Sequence, residues 1–121
     1  MADLTKEEIP IDFDPRWIRV LQMIKDRFGS KPELETILFL IGMNELGKLS
    51  DKFTKEQKQD LMHIAVCKLL SYHGFYKLAG WDDEGWPMWE ISAAMPEMDT
   101  REQETLLKKN IIHYFELNEM I

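Results

Sequence analysis

The chain has 121 residues, 45% of them hydrophobic and 31% charged, with a formal net charge of −7. That length suits one domain with a core of its own, and the apolar share excludes an intrinsically disordered chain. The acidic balance opposes phosphate backbones and anionic membranes, and the single cysteine, Cys67, excludes an internal disulfide.

The longest apolar run, residues 37–43, is interrupted by Gly42 and falls far short of the roughly 20 residues that a membrane span needs. The opening "MADLTKEEIP" is charged and lacks the apolar stretch of a signal peptide. The expectation is a cytoplasmic protein in a reducing compartment, with no membrane association.

Residues 1–13 read as an N-terminal arm. Ile9, Ile11 and Phe13 alternate beside Pro10, so the arm either lies extended along the body or hangs free. Residues 14–121 read as a single helical domain. Its first helix starts after Asp14, a good N-cap, with Pro15 at the first helical position. Trp17, Val20, Leu21, Ile24 and Phe28 form one stripe at helical spacing, and Gly29 ends it.

Ser30 and Glu33 have capping-box spacing, with Pro32 in the first turn of a second helix that runs to about residue 46. Its "ILFLIGM" is apolar on every side, the mark of a buried central helix. Gly42 within it costs about 1 kcal/mol relative to alanine, which a close helix crossing would justify. Residues 48–53 connect to a third helix over residues 55–73, capped by Thr54 and Gln57 and stopped by Gly74. A hairpin follows over residues 75–92. A last helix, capped by Thr100 with Gln103 or by Asp99 with Glu102, runs to about residue 118. The predicted class is mainly α: a compact four-helix domain with one β-hairpin between the third and fourth helices.

A type I turn over residues 82–85, with Gly85 left-handed, fixes a hairpin register. Asp82 faces Trp86, Trp81 faces Pro87, Gly80 faces Met88, Ala79 faces Trp89 and Lys77 faces Ile91. Side chains alternate between faces. Trp81, Ala79, Pro87, Trp89, Ile91 and Phe75 then share an oily face, which places Trp81 and Trp89 in the core. Trp86 and Met88 share the other face with Asp82 and Glu90. These four are the candidate binding residues, a contact tip unless the loop over residues 93–98 covers them.

The third helix carries Glu56, Asp60, His63 and Cys67 within a strip about 60° wide. Carboxylate, imidazole and thiolate all bind zinc, and Asp60 to His63 has the spacing used in di-metal helical bundles. Such a site needs further inward ligands; only Glu45 and His113 offer themselves, and a solvated helix face is the commoner cause of such a stripe. No cofactor or metal is assigned. Cys67 as a nucleophile would need a depressed pKa and an oxyanion hole, and no glycine-rich segment precedes it. Asn110 points into the apolar stripe of the last helix, where it requires partners.

Three readings of function follow. The leading one is a small non-catalytic cytoplasmic interaction module that binds a protein partner or a second copy of itself as a homodimer. The second is a metal-dependent helical enzyme using Asp60, His63 and Cys67. The third is a nucleic-acid-binding protein, since three helices and a ribbon resemble the winged-helix order, with the hairpin as the wing. The acidic tip "DDEG" speaks against that third reading.

Overall fold

The computed structural model describes residues 9–48 and 52–121; most of the expected arm, residues 1–8, and the middle of the second connection, residues 49–51, lie outside them. Among the described residues the fold is mainly helical. It comprises α1 (Pro15–Phe28), α2 (Leu34–Leu46), α3 (Lys55–Ser71) and α4 (Thr100–Leu117). A two-stranded antiparallel hairpin, β1 (Tyr76–Trp81) and β2 (Pro87–Ile91), stands between α3 and α4. No described helix is long and apolar enough to cross a membrane. The internal contacts gather in two units: the chain up to Lys31 with Thr100–Ile121, and Pro32–Asp99.

In the first unit, Asp14 caps α1 as its sequence predicts. Its Oδ1 accepts from the Arg16 backbone N–H at 2.9 Å, and Pro15 opens the helix. The Arg16 guanidinium closes back on the same carboxylate at 2.9 and 3.2 Å, which holds the Asp14 carboxyl below its ordinary pKa. Gly29 ends α1 in the left-handed region, at φ 85°. Trp17, Val20 and Ile24 are buried, whereas Phe28 is exposed, so the buried stripe stops one turn short of its sequence pattern.

The described end of the arm is neither extended nor free. Ile11–Phe13 form a 3-10 turn, closed by Phe13 N–H donating to the Pro10 carbonyl at 2.8 Å. Lys108 of α4 fastens that turn. Its Nζ lies 2.8 Å from Asp12 Oδ1 and 5.5 Å over the Trp17 ring, so one ammonium joins the turn, α1 and α4. In α4 itself Asn110, Ile111, Ile112, Tyr114 and Phe115 are buried. The helix begins directly after Asp99, one residue earlier than a Thr100 cap would allow.

In the second unit, α2 starts at Leu34 with Glu33 as its N-cap residue, and no side chain caps it. The Ser30–Glu33 box expected from spacing does not cap this helix. Glu33 is extended, at ψ 162°, so helical geometry begins only beyond it. The apolar girdle of α2 is buried as expected, with Ile37, Leu38, Ile41, Gly42 and Met43 inside. Gly42 marks the predicted crossing. A Cβ built there would strike the Leu61 carbonyl oxygen of α3 and lie 2.9 Å from Leu61 Cβ.

The Thr54 capping box is complete: Gln57 N–H donates to Thr54 Oγ1 at 3.1 Å and Thr54 N–H to Gln57 Oε1 at 2.9 Å. Met43, Leu61 and Ile64 form the buried centre of the unit. Phe39, Leu40, Leu46, Phe53, Trp86 and Trp89 pack around it.

Candidate interaction surface

The hairpin turn forms as its sequence dictates. Gly85 N–H donates to the Asp82 carbonyl at 3.0 Å, Asp82 N–H donates to the Trp86 carbonyl at 2.9 Å, and Gly85 is left-handed at φ 85°. The Asp82 carboxylate braces the turn from inside. Its Oδ1 accepts the backbone N–H groups of Glu84 and Trp86, each at 2.9 Å. Both donors would otherwise lack an acceptor in the loop. Asp82→Ala should therefore cost about 1–2 kcal/mol and speed amide exchange at Glu84 and Trp86, while Asp82→Asn, which keeps an acceptor, should recover most of the loss. Urea titration with amide-exchange spectra checks both.

Near the tip the predicted register holds, with Trp81 opposite Pro87 and Gly80 opposite Met88. Below it the strands slip by one. A bulge between Leu78 and Gly80 sets Leu78 against Trp89, Lys77 against Glu90 and Tyr76 against Ile91. Gly80 makes this possible with φ 136°, a conformation that side chains resist. The slip brings Lys77 Nζ within 3.2 Å of Glu90 Oε1. Two of the four candidate binding residues, Asp82 and Glu90, are thus engaged within the hairpin itself.

The tryptophans change places relative to the sequence reading. Trp89 is half-buried on the core of its unit, as expected; its buried Nε1 has no acceptor among the described residues. Trp81, expected in the core, is 62% exposed. It keeps the expected place opposite Pro87, so its face is unchanged and what it lacks is cover; the residues the bulge moves to that face are Leu78 and Tyr76. Trp86, expected outward, is half-buried. Its ring meets Phe53 edge-on at 6.3 Å, and Phe53 meets Phe39 edge-on at 6.1 Å. Phe53 lies in the connection between α2 and α3, to which sequence spacing assigns no packing role. The tip is therefore pinned through Trp86 and shows Trp81. Met88 remains outward, 46% exposed.

Tyr76 and Trp89 are partly covered, while Leu78, Trp81 and Ile91 are left exposed on the same side of the ribbon. With Met88 and Met95 they account for every exposed large hydrophobic side chain among the described residues of this unit. The warning in the sequence was Gly80: a glycine inside a strand often marks a bulge.

The α3 stripe divides. Glu56, Asp60 and His63 are exposed, and Cys67 is fully buried. Cys67 Sγ lies 3.4 Å from His63 Nε2, and the His63 ring meets Tyr76 edge-on. Glu45 pairs instead with Lys68 at 3.8 Å, and His113 belongs to the other unit. No three His, Cys, Asp or Glu side chains are grouped to hold a metal ion among the described residues. No family model, curated protein or solved structure matches the chain.

Burial pushes the Cys67 thiol from 9.0 up to about 11. At pH 8 its thiolate fraction should be about 100-fold below that of the unfolded chain. Iodoacetamide should accordingly modify the native protein at least that much more slowly than the urea-unfolded one. The raised pKa also sets a sign. The folded state holds this proton more tightly, so its contribution to stability is complete below pH 9 and is lost as pH rises through about 11. Cys67→Ala should lack that alkaline loss in urea titrations.

Proposed function

We propose that the protein is a small, non-catalytic protein-interaction module that makes contact through the exposed apolar margin of its hairpin. One observation carries this reading: Trp81 is 62% exposed within a hairpin-and-loop stretch that holds all the exposed large hydrophobics among the described residues of its unit. Exposed tryptophan and methionine are favoured where proteins meet, and a cluster of such side chains has a cost in water that a partner removes. Most of the original tip residues keep a part in this surface. Trp86 anchors the tip on Phe53, Asp82 and Glu90 shape the ribbon that presents the surface, and Met88 stands exposed on the ribbon's other side.

A reducing, cytoplasmic setting fits the lone buried thiol. That same thiol, neutral at physiological pH, suits packing better than nucleophilic attack.

Photo-crosslinking tests the proposal. A photoreactive phenylalanine analogue replaces Leu78 in the protein expressed in cells, and a second version carries it in place of Glu116 on α4. The expected result is a discrete crosslinked protein species from position 78, either a partner or a second copy, that is absent from position 116. Equal labelling from both positions, or none from position 78, would refute the reading.

A further inference from the structure

The margin that holds Trp81 is also strongly acidic. Residues 75–99 contain Asp82, Asp83, Glu84, Glu90, Glu97 and Asp99 against a single base, Lys77, a net −5 of the chain's −7. Asp83 and Glu84 are exposed in the turn next to Trp81, and Glu97 is exposed in the loop that carries Met95. Charge and exposed apolar side chains therefore coincide in about one-fifth of the sequence.

Resting on the interaction-module reading, we infer that this surface binds a basic amphipathic segment of a partner protein, apolar side chains flanked by lysine or arginine, and not a second copy of this chain. The occupant's chemistry follows from complementarity. Its apolar side chains meet Trp81, Leu78 and Ile91. Its cations meet the carboxylates of the turn and the exposed indole face, which attracts a cation in its own right.

A second copy fits poorly. A two-fold contact places the same patch on both sides, which sets acid against acid around the tryptophans. Strand addition at the ribbon edges fits poorly too. The bulge at Gly80 interrupts β1, and Pro87 opens β2 without an N–H; both features blunt sheet edges. The open resource is the side-chain surface.

The test uses two synthetic fluorescent helical peptides of equal length, one of leucine and lysine and the other of leucine and glutamate, titrated with the whole protein by fluorescence polarisation. The lysine peptide should bind, more weakly as salt rises, and the glutamate peptide should not. Trp81→Ser should weaken binding at least tenfold, as should Asp83→Lys with Glu84→Lys. Glu104→Lys with Glu116→Lys makes the same change in net charge on α4 and should weaken it less than threefold. Equal weakening by both double variants would overturn the inference, because overall charge would then explain binding; so would capture of the glutamate peptide.

Sedimentation equilibrium separates this inference from the reading beneath it. Self-association of the wild type that Trp81→Ser abolishes, without peptide binding, makes the occupant a second copy: the basic-partner inference falls and the interaction module stands. Absence of peptide binding, self-association and crosslinking together removes both.

Discussion

Gly42→Ala is expected to destabilise the protein by at least about 2 kcal/mol, although alanine is the better helix former. The added methyl group points at the backbone of α3, where it would overlap the Leu61 carbonyl oxygen and crowd the Leu61 Cβ at 2.9 Å. Overpacking typically costs about 1–3 kcal/mol, and more where nothing can move aside. A carbonyl fixed within a helix cannot rotate away as a side chain can, so α2 and α3 must separate. Separation loosens the contacts of Met43, Leu61 and Ile64 at the centre of the unit. Helix propensity returns only about 1 kcal/mol. Gln59→Ala, at an exposed position of α3, should stay within about 0.5 kcal/mol of the wild type. Urea unfolding followed by far-ultraviolet circular dichroism measures both. A Gly42→Ala protein as stable as the wild type would mean that the helices do not cross there.

Trp86→Ala should cost about 2 kcal/mol, and Trp81→Ala no more than about 0.5 kcal/mol. Truncating a fully buried tryptophan or phenylalanine costs about 3–5 kcal/mol. Trp86 is half-buried, so a fraction of that range applies, and its loss also leaves Phe53 without its edge-on neighbour. Trp81 is largely in solvent and holds up little of the fold. The sequence pattern alone, with Trp81 in the core and Trp86 outward, expects the reverse order, so two melting curves decide between the two placements. The functional consequences should be reversed as well: Trp81→Ala should keep the fold and lose the contact.

Much of the architecture was legible because local chemistry and tertiary structure agree. Asp14 with Pro15, Thr54 with Gln57, and the left-handed glycines at 29, 47, 74 and 85 punctuate the chain where the helices and the turn begin or end. The crossing at Gly42 was readable from the cost of a glycine in a helix interior. The hairpin was readable in position but only half in register. The turn chemistry of Asp82 and Gly85 fixes the tip and says nothing about a bulge at Gly80, so an error of one residue below it altered the faces.

The stripe on α3 shows a different limit. Spacing places Glu56, Asp60, His63 and Cys67 along one strip, and so they lie. Burial changes along that strip: Glu56, Asp60 and His63 are exposed, and Cys67, one turn further on, is covered. Helical periodicity gives a direction around the axis but cannot give the extent of cover along it. The packing of Trp86 on Phe53 was hidden for a related reason: a connection residue has no periodicity to betray it.

The way the two units are threaded has a consequence for biosynthesis. The 68 residues from Pro32 to Asp99 are contiguous, so every contact of that unit is available once this stretch has left the ribosome. α1 emerges earlier, but its partner helix within its own unit, α4, is made only after the whole middle unit. Trp17, Val20 and Ile24 must therefore wait through the translation of the whole intervening segment, several seconds at typical elongation rates of about 5–20 residues per second. A nascent chain whose Asp99 has just cleared the ribosome would carry a complete middle unit and an unpaired, oily first helix, the form in which the polypeptide would most need a chaperone.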